Sequence, residues 1–229
     1  DEIPATGYFA SRIQQFLNEN PQYDIEDFYL HYSQDVTYTH FYPGNGQTIT
    51  QNIKGYNSTC SPNCNPPATA TSIQEARVLG TWLPTWYKQN YNDPGWKAFF
   101  KWEIEDRVFS GTFPDAQGIF FDMAVINLNI WEKLQLHKTI EYPADQVDGN
   151  YELFDIYFNV IQEYKAYLNS LPSGNDKIVI GNPNSPFWYI VQPDNAPKIQ
   201  EALDHAYVEI WMEWNEDSNI ISYEDIFCK

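Results

Sequence analysis

The sequence predicts an α/β fold built on a parallel sheet: a TIM-barrel-like (β/α) barrel, compact or incomplete at one end. Three observations predict it. Segments with strand character alternate with segments of helical period. Several of the strands are continuous apolar runs rather than alternating ones, the pattern of a sheet covered on both faces. The length, 229 residues, falls a little short of the roughly 250 that an eight-stranded barrel takes. An open doubly wound sheet fits the same alternation, so the barrel is the expectation and the open sheet its competitor. Residues 1–229 are read as a single α/β domain.

The elements follow in chain order. Over 5–18, Phe9, Ile13, Phe16 and Leu17 recur at helical spacing, and Asn20-Pro21 ends the pattern. Phe28-Tyr29-Leu30-His31-Tyr32 reads as a strand. A long loop is expected at about 42–72, where Pro, Gly, Asn, Ser and Thr dominate. Residues 77–83 read as the next strand, and 95–109 as a helix carrying Trp96, Phe99, Phe100, Trp102 and Ile104. Gly118-Ile119-Phe120-Phe121-Asp122 is a short apolar strand ending on a carboxylate. Leu153, Tyr157, Ile161, Tyr164 and Leu168 mark a helix over 150–170, stopped by Pro172-Ser173-Gly174. Residues 177–183 form another buried-type strand, and a helix at about 195–204 leads into a strand from Ala206 to Met212.

Charge narrows the partners. With 13 Lys+Arg against 31 Asp+Glu the formal net charge is −18, which repels phosphate backbones and anionic lipid. Neither nucleic acid nor a membrane is an expected partner. Aromatic residues make up 17% of the chain, which supplies rings for a core or for stacking flat ligands. His31, His40, His137 and His205 are dispersed without ligand spacing, so no metal site and no cofactor are expected. Cys60 and Cys64 flank a short loop and can close a small disulfide ring or remain two free thiols. Asn57-Ser58-Thr59 just before them is an N-glycosylation acceptor pattern. Together they favour an exported, extracellular protein. Cys228 is either buried and reduced, paired with another chain in an assembly, or the mark of a longer parent chain.

In parallel α/β folds, loops converge at the carboxyl ends of the strands, so functional residues are sought there. Asp122 ends its strand after Ile119-Phe120-Phe121, and a carboxylate in such a place costs free energy unless it is paired or used. Asn182 lies near the end of the strand at 177–183, Trp82 lies near the end of the strand at 77–83, and Trp86 follows it. In the last strand Tyr207, Glu209, Trp211 and Glu213 share one face by alternation. Tryptophan beside carboxylates suits a sugar: the ring takes the apolar sugar face and the acids take the proton chemistry. Asp122 with Glu209 is the candidate catalytic pair, and Glu213 competes for the second place. Their separation, which separates retaining from inverting chemistry, is not encoded locally. Trp82, Trp86, Asn182, Tyr207, Trp211 and Glu213 are the candidate substrate-binding residues.

Val78-Leu79-Gly80-Thr81-Trp82, Gly118-Ile119-Phe120-Phe121-Asp122 and Ile180-Gly181-Asn182-Pro183-Asn184, with a late Glu-bearing strand, resemble the spherulin-4-like glycoside hydrolases and related (β/α)-barrel glycosidases over roughly 76–213. The resemblance implies a barrel, action on extracellular polysaccharide, and a strand-end acid at Asp122 with a later acid at Glu209. The family pattern continues Asp-Glu where this chain has Asp122-Met123. Two expectations follow: a secreted glycoside hydrolase acting on a poly- or oligosaccharide, or a non-catalytic carbohydrate-binding or structural assembly protein on the same fold.

Overall fold

The first helix, α1 (Tyr8–Glu19), forms where the apolar period predicts it and buries Ile13 and Phe16. It stops at Asn20, whose backbone N–H and side-chain amide both donate to the Phe16 carbonyl, at 2.8 and 2.9 Å. Pro21 cannot extend the ladder. Helix α2 (Pro94–Ile104) starts with proline in its first turn, behind an Asp93 cap that accepts from the backbone N–H of Gly95 and Trp96. It runs on as a π-helical turn, Glu105–Phe109. Asp93→Ala leaves both donors without the cap, and thermal unfolding is expected to register a loss of about 1 kcal/mol. This computed structural model describes residues 2–56, 69–109, 113, 115–122, 134–135, 150–172, 176–182 and 196–206.

The α1–α2 contact is aromatic. Phe99 is fully buried, with its ring centroid 5.5 Å from Phe16, 5.6 Å from Phe9 and 5.4 Å from Trp96. Arg12 crosses the same contact. It bonds Glu103 at 2.6 Å and Asp106 at 2.5 Å, and lies 4.1 Å over the Trp102 ring.

The strands do not close into the expected barrel. β1 (Glu2–Pro4) pairs antiparallel with β5 (Trp86–Lys88), β2 (His31–Tyr32) with β7 (Leu134–Gln135), and β3 (Val36–Tyr42) with β4 (Gln47–Ile53). Only β6 (Gly118–Asp122), β8 (Ile178–Asn182) and β9 (His205–Ala206) are parallel, in the order β6-β8-β9. Among the described residues the result is three two-stranded antiparallel sheets and one open three-stranded parallel sheet, not a parallel (β/α) barrel. The physical reason is connection length. A parallel pair needs a crossover of a dozen or more residues, whereas the short Pro43–Gly46 turn between β3 and β4 leaves only the antiparallel option.

The parallel sheet has the crossovers it needs. α3 (Asn150–Ser170) lies between β6 and β8 in sequence, and α4 (Ala196–Ala202) between β8 and β9. α3 buries Tyr157, Phe158, Val160, Ile161, Tyr164 and Leu168. Asp204, just before β9, accepts from the Val179 N–H and from Lys165 of α3, each at 2.7 Å, which binds helix to sheet. Gly118 meets β8 so closely that a Cβ there would lie 2.0 Å from the Ile178 carbonyl oxygen, so glycine is what allows the pair to form.

Three local expectations change. Residues 25–28 form a 3-10 turn capped by Asp24, so extended backbone begins only at Tyr29. The stretch expected as loop from residue 42 contains β4, whose partner β3 just before it was not foreseen. Residues 77–83 form no continuous strand. Arg77 and Leu79 make single bridges, to His31 and Tyr87, and the chain then reverses around Pro84 with Gly80 N–H on the Trp86 carbonyl at 2.6 Å. No described helix is long and apolar enough to cross a membrane.

Candidate functional site

The parallel register brings two of the candidate residues together. β6 and β8 pair from Gly118↔Ile178 through Asp122↔Asn182, so Asp122 and Asn182 are the last aligned pair at the carboxyl edge of the sheet. Adjacent strands lie about 4.8 Å apart, so these two backbones are immediate neighbours. β9 joins on the other side of β8 with Gly181 opposite Ala206. Residue 122 thus ends β6 at the edge where parallel α/β sheets gather ligands.

The other candidates are not gathered there. Trp82, half-exposed, packs over Gly44 in the β3–β4 turn, and Trp86 opens β5 opposite Pro4. Tyr207, Glu209, Trp211 and Glu213 lie outside the described residues, as do Asn57, Cys60, Cys64, Met123 and Cys228.

Beside β6, between α2 and α3, is an aromatic cleft of about 210 Å³. Its walls include Phe100, Phe120, Phe121, Tyr157 and Tyr164, with Gln89 and Tyr91 from the segment after β5. Phe100 and Tyr164 approach to 4.6 Å between centroids, and Phe121 stacks on Tyr164 at 5.9 Å with the planes 3° apart. Burial pushes the Tyr164 hydroxyl well above the ordinary tyrosine pKa, and it has no hydrogen-bond partner among the described residues. A second cleft of about 560 Å³ lies where α2 and α3 end, lined by Trp102, Glu105, Asp106, Phe109, Leu171 and Pro172. There Arg12 already covers a face of Trp102 and pairs with Asp106.

A buried ionic group escaped the sequence reading. The single bridge between His31 and Arg77 brings their backbones side by side, and Glu26 reaches both from the 3-10 turn. Its carboxylate meets His31 Nε2 at 3.0 Å and takes two hydrogen bonds from the Arg77 guanidinium, from Nε at 3.0 Å and from Nη2. Arg77 lies 4.0 Å over the Tyr29 ring. Burial by itself raises the Glu26 pKa. Hydrogen bonds and charge from His31 and Arg77 outweigh it and hold the carboxyl at about 2. A carboxylate this acidic carries no proton near neutral pH, so Glu26 is a brace and not a general acid. The signal in the sequence was Glu26-Asp27 directly ahead of Phe28-Tyr29-Leu30, two acids entering an apolar run. Among the described residues, no three His, Cys, Asp or Glu side chains cluster in a way that could hold a metal ion.

Compared with family models, curated proteins and solved structures, the chain matches none of them.

Proposed function

We propose that the chain handles carbohydrate at the carboxyl edge of its parallel sheet, with Asp122 as one catalytic carboxylate and Glu209 as the other. The observation that supports this is the β6–β8 register, which aligns Asp122 with Asn182 at adjacent strand ends. Asn182 supplies an amide for sugar hydroxyls, and Tyr207, Trp211 and Glu213 follow β9 in sequence close to Glu209. One acid protonates the departing glycosidic oxygen, and the other serves as nucleophile or base. The motif resemblance to spherulin-4-like glycoside hydrolases supports the same assignment. The substrate is an extracellular poly- or oligosaccharide, consistent with an exported protein glycosylated at Asn57 and closed at Cys60–Cys64, with Cys228 available to another chain.

Met123 favours a second reading: a carbohydrate-binding or assembly protein that has lost hydrolysis, because the family's acid after the strand-end aspartate is replaced. One experiment separates the two. The full chain is assayed for release of reducing ends from a panel of neutral and amino-sugar polysaccharides, alongside a pull-down on the same insoluble polymers. Hydrolysis that falls to background in Asp122→Asn, with binding kept, is the expected result. Binding without hydrolysis in the parent chain supports the second reading. Hydrolysis untouched by Asp122→Asn, or no binding to any polymer, overturns the proposal.

A further inference from the structure

We propose that the outer edge of β4 (Gln47–Ile53) binds a second copy of this chain, β4 against β4, antiparallel about a twofold axis at Thr50. The first observation is an open edge. Among the described residues β3 and β4 form a sheet of two strands. The 80–82 segment lies against β3: the Tyr38 hydroxyl donates to the Gly80 carbonyl at 3.4 Å, and His40 Nε2 donates to the Thr81 carbonyl at 2.7 Å. Among the described residues, β4 exchanges hydrogen bonds only with β3 and with Asn45 of the turn. Every second residue of β4 therefore turns its N–H and C=O away from β3 with no strand to receive them. Such an edge is usually protected by a charge, a proline, a bulge or a very short strand. β4 has seven residues without a charge or a proline, and its register with β3 runs unbroken from Val36↔Ile53 to Tyr42↔Gln47.

Charge selects the occupant. A formal net charge of −18 makes two copies repel each other as whole bodies. Residues 36–53 contain no Asp, Glu, Lys or Arg, so at this hairpin two copies can meet without opposing carboxylates. The same lack of charge gives the edge nothing with which to select a basic or an acidic segment of another protein. β4 is also its own complement. Across an axis at Thr50, Thr50 faces Thr50 of the second copy, and Thr48 faces Asn52. The hairpin already makes both kinds of pair: the Thr39 and Thr50 hydroxyls lie 2.8 Å apart, and the Thr37 hydroxyl donates to the Asn52 side chain at 3.0 Å. Lys54, the first charge after β4, falls opposite Gly46 and meets no like charge. The product is a four-stranded sheet in the order β3-β4-β4-β3, in which each β4 is paired on both edges. This contact is independent of the carbohydrate reading and makes no use of Cys228.

The test reads association of the full chain by sedimentation equilibrium. A concentration-dependent dimer is expected, and it should tighten as salt is raised, because screening removes the repulsion between the two acidic bodies. A dimer held by ion pairs would loosen instead. Thr50→Lys sets like charges face to face on the axis and is expected to weaken the dimer about tenfold. Thr39→Lys, on the same face of the hairpin but on β3, is expected to leave it intact. Register is read with Thr50→Cys under mild oxidation. Directly opposite residues have Cα atoms about 4.5–5.5 Å apart, within the disulfide range of about 4.4–6.8 Å. The introduced thiols are expected to join copy to copy, as identified by peptide mapping, and those of Thr39→Cys are not. This variant also keeps the register testable if Thr50→Lys does not fold. A parent chain that stays monomeric up to its solubility limit overturns the proposal. So does a dimer that Thr50→Lys leaves intact or that loosens with salt, or one that cross-links through Thr39→Cys in place of Thr50→Cys.

Discussion

Replacing Arg77 with methionine is expected to destabilise the fold by about 3–5 kcal/mol, because it strands the buried Glu26 carboxylate beside a single remaining partner. Glu26 is only 3% exposed, and methionine offers its carboxylate neither charge nor hydrogen bond. The same residue sets an acid limb. A carboxyl whose folded pKa is lowered contributes stability above its unfolded value, and loses it as pH falls through the folded value. Glu26 sits at about 2 in the fold against an ordinary 4.5, so its contribution is complete above pH 4.5 and is lost on the way down to pH 2. Linkage puts that contribution at about 3 kcal/mol. Urea unfolding at neutral pH and at stepped pH values through this window measures both effects. In Glu26→Gln the total stability lost across this window should shrink by about this amount, with a shallower slope. An unchanged slope would show that Glu26 is not held by His31 and Arg77.

Phe99→Ala should cost a similar amount, about 3–5 kcal/mol, through a cavity instead of a charge. The ring is wholly buried and touches Phe9 and Phe16 of α1, Phe28 of the 3-10 turn, and Trp96 and Trp102 of its own helix. These neighbours are pinned by their own backbones, and Arg12 holds α1 to α2 at Glu103 and Asp106, so the helices cannot simply close over the gap. Guanidinium unfolding of Phe99→Ala beside Phe99→Leu reads the cavity contribution, with leucine recovering a large part of the loss. A small loss in both variants would mean that this interface is not where the fold's stability resides.

The two effects differ in how visible they are in the chain. Phe99 falls on a helical apolar stripe and was a foreseeable core residue. The Glu26 brace was not foreseeable, because its partners are 5 and 51 residues away and meet only through the 3-10 turn and a single backbone bridge. The candidate site divides in the same way. Asp122 as a strand-end acid follows from the apolar run before it. Its alignment with Asn182, across the length of α3, is a matter of strand register, and register has no local signature.

The errors have physical causes too. β4 is rich in Thr, Gln and Asn and largely solvated, so its composition resembles a loop, whereas its partner β3 carries aromatic and β-branched residues with alternating burial. Residues 77–83 are apolar enough for a strand, yet Pro84 and the bond from Gly80 to Trp86 turn the chain back after a few residues.

By itself the sequence determined where α1, α2, α3, β6 and β8 form, because periodicity, caps and apolar runs act over one or two turns of chain. Which strands pair, and in which direction, was decided by tertiary structure. β1 and β5 come from distant parts of the chain and pair antiparallel, while the hairpin turn after β3 permits only one sense. Backbone hydrogen bonds between strands are alike for every residue type, so the expected parallel barrel gave way to antiparallel pairs around one small parallel sheet.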